Sequence, residues 1–517
     1  MVINMECLIG MRMMLADNSI DAVVTDPPYG LSKQPDMNEV LRHWLNGDDY
    51  VHTGGGFMGK TWDSFVPGPS VWKEVFRVLK PGGHLLAFFG TRTYDLGTLA
   101  IRLAGFEIRD QIDWVYGSGF PKSLDVSKAI DKVNDRVNLF KPFAEHYEKQ
   151  RQLKNLTHNK ICEIGNFFNN VNHGGASSNW SKGLNVPTME QWYILQPLLN
   201  LSLEFLPLIE RVEAEREIIG SKVTNLTAYQ NIGGDNISGN INITAPATDE
   251  AKQWQGWGTA LKPAHEPICV ARKPLAGTVA ENVLQFGTGG MNIDDCRVAA
   301  PDGVPVFNKR NEISDNAFGD GLNGSNRTGA VDTTTGRFPA NFIHDGSDEV
   351  VNLFPAKAGA AAPVKGTEQS EVTNGIYGKF NDRVPGQFYS DTGSAARFFY
   401  CAKASKSDRD EGVMLAMVTG AEMTGREPDT DGLNSPRAGA GRTSGARNNH
   451  PTVKPTALMQ WLVRLVTPPG GKVLDPFTGS GSTGKACAIE GFEFIGFEMD
   501  PHYCEIAKQR IAYVNNR

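Results

Sequence analysis

Two short strand-to-turn motifs near opposite ends of the 517-residue chain constrain its fold more than any other feature. Residues 22–30 read AVVTDPPYG, and residues 472–484 read KVLDPFTGSGSTG. In each, an apolar run of strand length ends at an aspartate and then turns. In the second, Gly479, Gly481 and Gly484 form G-x-G-x-x-G. Glycine there admits positive φ and lets a ligand approach the backbone closely. A helix is expected from about Gly484, then a strand, Phe494–Phe497, ending at Glu498. That acid lies about 20 residues past the first glycine, where ribose hydroxyls would find an acceptor. Little chain follows Glu498, so the remaining strand–helix units are expected from the N-terminal side, in circularly permuted order.

The first turn carries different chemistry. Proline fixes φ and lacks an N–H, so Asp26-Pro27-Pro28-Tyr29 is rigid, and its carbonyls stay free to accept. Asp26 supplies an anionic acceptor at a strand end, and Tyr29 a ring face on which a base can stack. These parts suit methylation of an exocyclic amine, whose lone pair is conjugated into its base. Asp26 and the Pro27 carbonyl would hold the two amine hydrogens and aim the lone pair at an electrophilic methyl group. A duplex base must be flipped out to reach them.

On these residues the chain resembles the S-adenosylmethionine-dependent DNA amino-methyltransferases. Asp26-Pro27-Pro28-Tyr29 is similar to their catalytic motif, and Asp475-Pro476-Phe477-Thr478-Gly479-Ser480-Gly481 to their cofactor motif. The catalytic motif comes first, as in the β-type order. His450-Pro451-Thr452-Val453-Lys454-Pro455 resembles a further cofactor-contacting segment. The resemblance implies that Phe477 packs near the methionine part of S-adenosyl-L-methionine, that Glu498 holds its ribose, and that Thr452 and Lys454 lie near it. Segments 77–95, 112–123, 256–275 and 337–346 look like the phage and prophage branch. Asp at position 26 is typical of adenine N6 enzymes, and cytosine N4 enzymes share the mechanism. The implied partner is double-stranded DNA. A homodimer and a separate restriction enzyme are left open.

The expected fold class is α/β: a circularly permuted, doubly wound Rossmann-like methyltransferase sheet, an inserted helical module and a loop-rich target recognition region. The expected segments are 1–124 and 446–517 for the catalytic domain, 125–245 for the insert, 246–275 for a return strand and 276–445 for target recognition. Ile108–Tyr116 and Ile268–Arg272 are natural antiparallel partners, with the insert at their hairpin tip. The stretch from Tyr29 to about Thr61 reads as a lid, closed by Trp62-Asp63. Ser70–Leu79 is expected as a helix stopped by Pro81-Gly82-Gly83, with a strand over His84–Phe89. Within the insert, Trp180 to Thr188 partly resembles the end of a helix-turn-helix of the phage-repressor type, and a helical spacer is the alternative. Arg397-Phe398-Phe399-Tyr400 reads as a strand. Residues 424–449 read as a flexible loop whose Arg426, Arg437, Arg442 and Arg447 would contact phosphates.

Net charge is −7, so DNA binding would need local basic clusters, such as the one over residues 121–160. Seven scattered cysteines without a C-x-x-C pair offer no zinc framework, and no metal is expected. With no signal peptide and no membrane-length apolar run, the reading is a cytoplasmic protein. No cysteine beside the DPPY turn suggests attack on a ring carbon. An RNA or protein amine methyltransferase and a DNA-binding protein with an inactive fold stand as alternatives.

Overall fold

Both strand-to-turn motifs emerge in a computed structural model as neighbouring parallel strands. The structure describes residues 1–31, 34–52, 61–117, 119, 123–133, 136–167, 175–214, 218–225, 238–244, 249–300, 304–307, 329–332, 336–356, 393–402, 406–418 and 446–517. The chain divides into two units. One comprises Met1–Gly119, Ala264–Leu415 and His450–Arg517, and the other Phe120–Pro263 and Ala416–Asn449.

In chain order the strands are β1 (Val2–Asn4), β2 (Ile20–Thr25), β3 (Leu79–Phe88), β4 (Glu107–Val115), β5 (Ile218–Asn225), β6 (Ser238–Thr244), β7 (His265–Arg272), β8 (Val304–Phe307), β9 (Gly329–Asp332), β10 (Phe342–His344), β11 (Tyr400–Cys401), β12 (Lys472–Asp475) and β13 (Glu493–Glu498). Among the described residues, nine form one sheet in the order β1-β13-β12-β2-β3-β7-β4-β10-β11. Only β7 runs antiparallel to its neighbours in this sheet. The first strand of the chain lies beside the last, Val2 opposite Gly496, which is the circular permutation expected. The return strand also pairs as expected, with Ile112 opposite Ile268.

The alternation of the strands sorts side chains to two faces. Ala22, Val24, Leu86, Phe88, Ile268 and Val270 share a core with Leu458, Trp461 and Leu462 of the helix Thr456–Val466. Ile20, Val23, Leu85, Ala87, Cys269 and Ala271 pack with Trp72, Val75 and Val78 of the helix Pro69–Val78. The sheet is therefore covered on both sides, which is why its central strands read as continuous apolar runs.

Two local expectations are corrected. Pro81-Gly82-Gly83 does not separate a helix from a strand, because β3 runs through it from Leu79. The register against β2 shifts between Ile20 and Ala22, and Gly82 takes φ +75, so the tripeptide is a bulge within the strand. Its amide donates to the Lys273 carbonyl at 3.1 Å, which holds the bulge against the chain leaving β7. Arg397–Tyr400 is mostly not a strand either. Ala395–Phe398 is a turn of 3₁₀ helix, N-capped by the Ser394 hydroxyl, and β11 begins only at Tyr400.

The second unit has its own core. Phe140, Phe143, Tyr147, Ile161, Trp180, Trp192 and Leu195 are buried together by the helices Arg136–Leu153, His158–Gly165, Gly175–Ser181 and Met189–Leu199. Thr157 caps one helix by accepting from Lys160 N, and Thr188 forms a capping box with Gln191. Trp180, read as part of a repressor-like pattern, is a core anchor of this bundle. Part of the Tyr29–Thr61 lid, Gly54–Gly56 included, lies outside the described residues, as do Arg426, Arg437 and Arg442; Arg447 is exposed. Among the described residues, no helix is long and apolar enough to cross a membrane.

Trp461 joins the helix Thr456–Val466 to the sheet and donates from Nε1 to the Cys296 carbonyl at 3.2 Å. Trp461→Ala is expected to cost about 3–5 kcal/mol of stability, and Trp461→Phe clearly less. Urea denaturation checks this, and equal losses for both would point away from packing as the cause.

Candidate active site

The pairing of β2 with β12 sets Val473 opposite Ala22 and Leu474 opposite Val23. The DPPY turn and the glycine-rich turn therefore leave the sheet side by side, at the carboxyl ends of adjacent parallel strands. On one side of β12 lie β13 and β1, and on the other β2 and β3, so the strand order reverses here. Ligands bind at such a point in open α/β sheets. A buried hydrogen bond ties the two turns together: the Thr25 hydroxyl donates to Asp475 Oδ1 at 2.6 Å. The same oxygen accepts from Phe477 N at 3.1 Å. Burial pushes the Asp475 carboxyl up to about 6 despite these donors.

The DPPY turn is clamped from behind. Asp63, almost fully buried, accepts from the amides of Tyr29 (2.7 Å) and Gly30 (3.1 Å). The Thr93 hydroxyl donates to the Tyr29 carbonyl at 2.6 Å. Pro27 is buried and Pro28 half-buried. Gly30 takes φ +64, and a Cβ there would lie 2.9 Å from Val66 N, so only glycine fits.

In front of the turn stands a polar cluster. Lys454 Nζ donates to Asp26 Oδ2 at 2.6 Å and lies 3.3 Å from Glu266 Oε2. The Tyr29 hydroxyl lies 2.9 Å from both Asp26 Oδ1 and Glu266 Oε2. The lysine side chain is only 6% exposed, and Asp26 and Glu266 are 18% and 20% exposed. Burial alone would lower the Lys454 ammonium, but Asp26 and Glu266 outweigh it and hold the group above its ordinary range. Burial, then Asp26 and Glu266, push the Tyr29 phenol well above its usual range, so it stays a donor. The ammonium also lies 5.3 Å from the Tyr29 ring centre and 5.0 Å from that of Phe88.

The glycine-rich turn has the features of a cradle. Gly479 takes φ +53, and a Cβ there would lie 2.9 Å from His450 Nε2. Gly481 takes φ +81 and begins the helix Ser482–Glu490 without a side-chain cap. Arg510, fully buried, donates to the Ser480 carbonyl at 2.6 Å and the Asp408 carbonyl at 2.6 Å, fixing the turn from below. Burial draws its guanidinium down to about 10. Glu498 accepts from the Gly479 and Asp500 amides, each at 2.8 Å, while burial pushes its carboxyl up to about 7. Pro476, Thr478 and Ser480 are buried and Phe477 half-buried, its ring 6.4 Å from that of Trp72.

Of the residues singled out from the sequence, Asp26, Tyr29 and Lys454 meet directly. Asp475, Gly479 and Glu498 meet around the second turn. Thr452 is exposed, and its carbonyl lies 2.7 Å from His450 Nδ1. Lys454, assigned from resemblance to the cofactor, reaches the catalytic turn in this structure. Sequence reasoning missed Glu266 and Arg510, gave His450 no role beyond membership of its motif, and read Asp63 only as the end of a lid. The available signal for Glu266 was an acid opening the apolar run ICVA of β7.

His450 stacks on Trp62 at 6.1 Å and meets Tyr503 edge-on at 4.6 Å. Burial lowers its imidazole to about 4. The unfolded chain takes up a proton below about pH 6.5, whereas folded His450 resists until about 4. Stability from this group is thus complete above pH 6.5 and lost as pH falls toward 4. His450→Phe is expected to be less stable than wild type at pH 7.5, with the gap closing by up to ~1.4 kcal/mol per unit below pH 6.5. Denaturant midpoints at pH 7.5 and pH 5 decide it; an unchanged gap would sink the assignment.

Comparisons with known proteins show the family of the chain. Over 63 residues the chain is 41% identical to DNA adenine methyltransferase YhdJ of Escherichia coli (strain K12), covering 12% of this chain and 21% of that one. Over 63 residues it is 44% identical to Type II methyltransferase M.SmaI of Serratia marcescens, covering 12% and 22%. These matches span about a fifth of the length of the curated relatives. A structural match to PvuII DNA methyltransferase (cytosine-N4-specific) covers 100% of this chain and 91% of that one, at 11% identity and a TM-score of 0.35, too low to guide any reading. The DNA methylase family model for N6 and N4 enzymes matches residues 20–181 and 216–509, most of the chain, and the chain belongs to that family.

Proposed function

We propose that this protein transfers a methyl group from S-adenosyl-L-methionine to the N6 amine of an adenine flipped out of double-stranded DNA. The observation that carries the reading is the placement of the Asp26 carboxylate and the glycine-rich turn on adjacent strands, tied by Thr25 and Asp475. The residues fit the cofactor. A turn held in the left-handed conformation at Gly479 and Gly481, an uncapped helix start and a largely buried carboxylate at Glu498 offer free backbone N–H groups and an acceptor for hydroxyls. Glu498 would hold the ribose hydroxyls, Phe477 the methionine part, and the segment 475–481 the remainder. Thr452 stands at the rim.

When bound, the cofactor supplies a sulfonium-activated methyl group, so no covalent enzyme intermediate is needed. The chain's own task is to present the amine. Asp26 accepts one amine hydrogen and draws the nitrogen toward tetrahedral geometry, freeing its lone pair. The Pro27 carbonyl accepts the other, and Pro27 and Pro28 keep the turn from relaxing. The Tyr29 ring faces the base, and the clamp by Asp63 and Thr93 fixes its backbone. Holding the reacting atoms in this geometry supplies much of the acceleration.

Adenine is favoured by aspartate at position 26 and by the adenine enzyme among the relatives. Cytosine N4 is the second reading, because its amine is chemically equivalent at this site and the family includes N4 enzymes. DNA is the one partner the site requires, and neither a second copy of the chain nor a restriction enzyme adds to the chemistry.

Incubation with unmethylated DNA and S-adenosyl-L-methionine, followed by nucleoside mass spectrometry, tests the proposal. N6-methyladenine is expected, with a loss of at least about 10²-fold in Asp26→Ala. N4-methylcytosine would overturn the base assignment, and no methylated base on varied DNAs would overturn the function.

A further inference from the structure

Each oxygen of Asp26 already has a donor beside it. Tyr29 donates to Oδ1 and Lys454 to Oδ2. Yet the proposed reaction asks this carboxylate to accept a hydrogen from an incoming amine. A carboxylate paired with an ammonium at 2.6 Å has part of its charge offset and is a weaker acceptor for an incoming N–H than a free one. The ammonium cannot simply be released, because a buried, unpaired charge is strongly unfavourable. It needs a second anion within reach.

Glu266 is that anion. Its Oε2 lies 3.3 Å from Lys454 Nζ and 2.9 Å from the Tyr29 hydroxyl. Both partners of Asp26 thus already have the same alternative acceptor. Register fixes it there: β7 places Glu266 opposite Trp114 and, two residues on, Ile268 opposite Phe88. Trp114 and Tyr116 pair at 5.1 Å beside it. Burial and then Glu266 push the Tyr116 phenol up to about 12, so this neighbour stays neutral.

We propose that Glu266 is a positioning residue that takes over the Lys454 ammonium and the Tyr29 hydroxyl when an amine docks, leaving Asp26 a full-strength acceptor. No covalent bond changes in this exchange, and the ammonium stays paired throughout. The docking amine rests on the methyl-transfer reading, while the shared hold of Asp26 and Glu266 on Lys454 belongs to the free protein.

Two experiments separate the inference from that reading. In the ligand-free protein, trace acetylation of Lys454 is followed by mass spectrometry in wild type, Asp26→Asn, Glu266→Gln and the double variant, with thermal unfolding checking the fold. Each single variant should stay within about threefold of wild type, because the other carboxylate holds the lysine, and the double variant should rise at least about tenfold. A full rise in Asp26→Asn alone overturns the proposal, as does no rise in a folded double variant. If the double variant does not fold, Asp26→Asn decides it.

In single-turnover methylation, Glu266→Gln should slow transfer at least about tenfold with cofactor and DNA affinity unchanged, and Glu266→Asp should recover part of the rate. A wild-type rate in Glu266→Gln, or a defect confined to binding, overturns the proposal. A wild-type protein inactive on all DNAs sinks the methyl-transfer reading, while the labelling result still judges whether Glu266 can hold the ammonium in place of Asp26.

Discussion

Everything at the site depends on the parallel pairing of β2 with β12. The two strands are 450 residues apart where Thr25 meets Asp475, and no local interaction brings them together. What does is burial on both faces, against the helix Thr456–Val466 on one side and Pro69–Val78 on the other. One residue of slip would send Asp475 away from Thr25 and leave a buried carboxylate without its hydroxyl partner, because side chains alternate with a period of two. Register is therefore over-determined at the place where it matters. The glycine turn and the proline turn inherit their separation from it.

The backbone layout was legible in the sequence, and much of the electrostatics was not. Apolar runs of strand length ending in Asp26 and Asp475, together with the hairpin partners β4 and β7, gave the central sheet. The first strand's place beside the last followed from the motif order. These features are local or rest on strong periodicity. The failures share a cause. Pro81-Gly82-Gly83 has the composition of a stop, but pairing with β2 resumes at His84, hydrogen bonds to Lys273 hold Gly82 and Gly83, and the positive φ of Gly82 lets the strand continue. Arg397–Tyr400 has the composition of a strand, but the Ser394 cap starts a 3₁₀ turn instead. In both, tertiary context or a single cap outweighed a weak propensity.

Side-chain partners were the least legible. Lys454 reaches Asp26 across 428 residues, and Glu266 enters from the return strand. Nothing near Lys454 in sequence reveals that it is buried, since a lysine before a proline reads as surface. Arg510 is similar: a long cationic side chain on a C-terminal helix, yet fully buried beneath the glycine turn. A buried cation is costly unless several acceptors surround it. Such acceptors are assembled only by the fold, so these roles become visible only in the folded structure.

The two acids at the ends of β2 and β13 are held in opposite ways, and the difference suits their proposed tasks. Glu498 is met by backbone amides alone, with no cation within its hydrogen-bonding set, and burial lifts it to about 7. Burial thus works against its charge, and the two amides work for it. Each further donor, such as a hydroxyl, favours its anion and strengthens its own hydrogen bond by doing so. Asp26 is instead met by a cation and a phenol, which stabilise its charge while weakening it as an acceptor. The first arrangement favours steady binding of a polyol. The second favours a carboxylate whose acceptor strength is set by where one ammonium rests. In the Lys454 environment that resting place is divided between two oxygens of different residues, so a small displacement of one side chain changes the chemistry of the turn without moving its backbone.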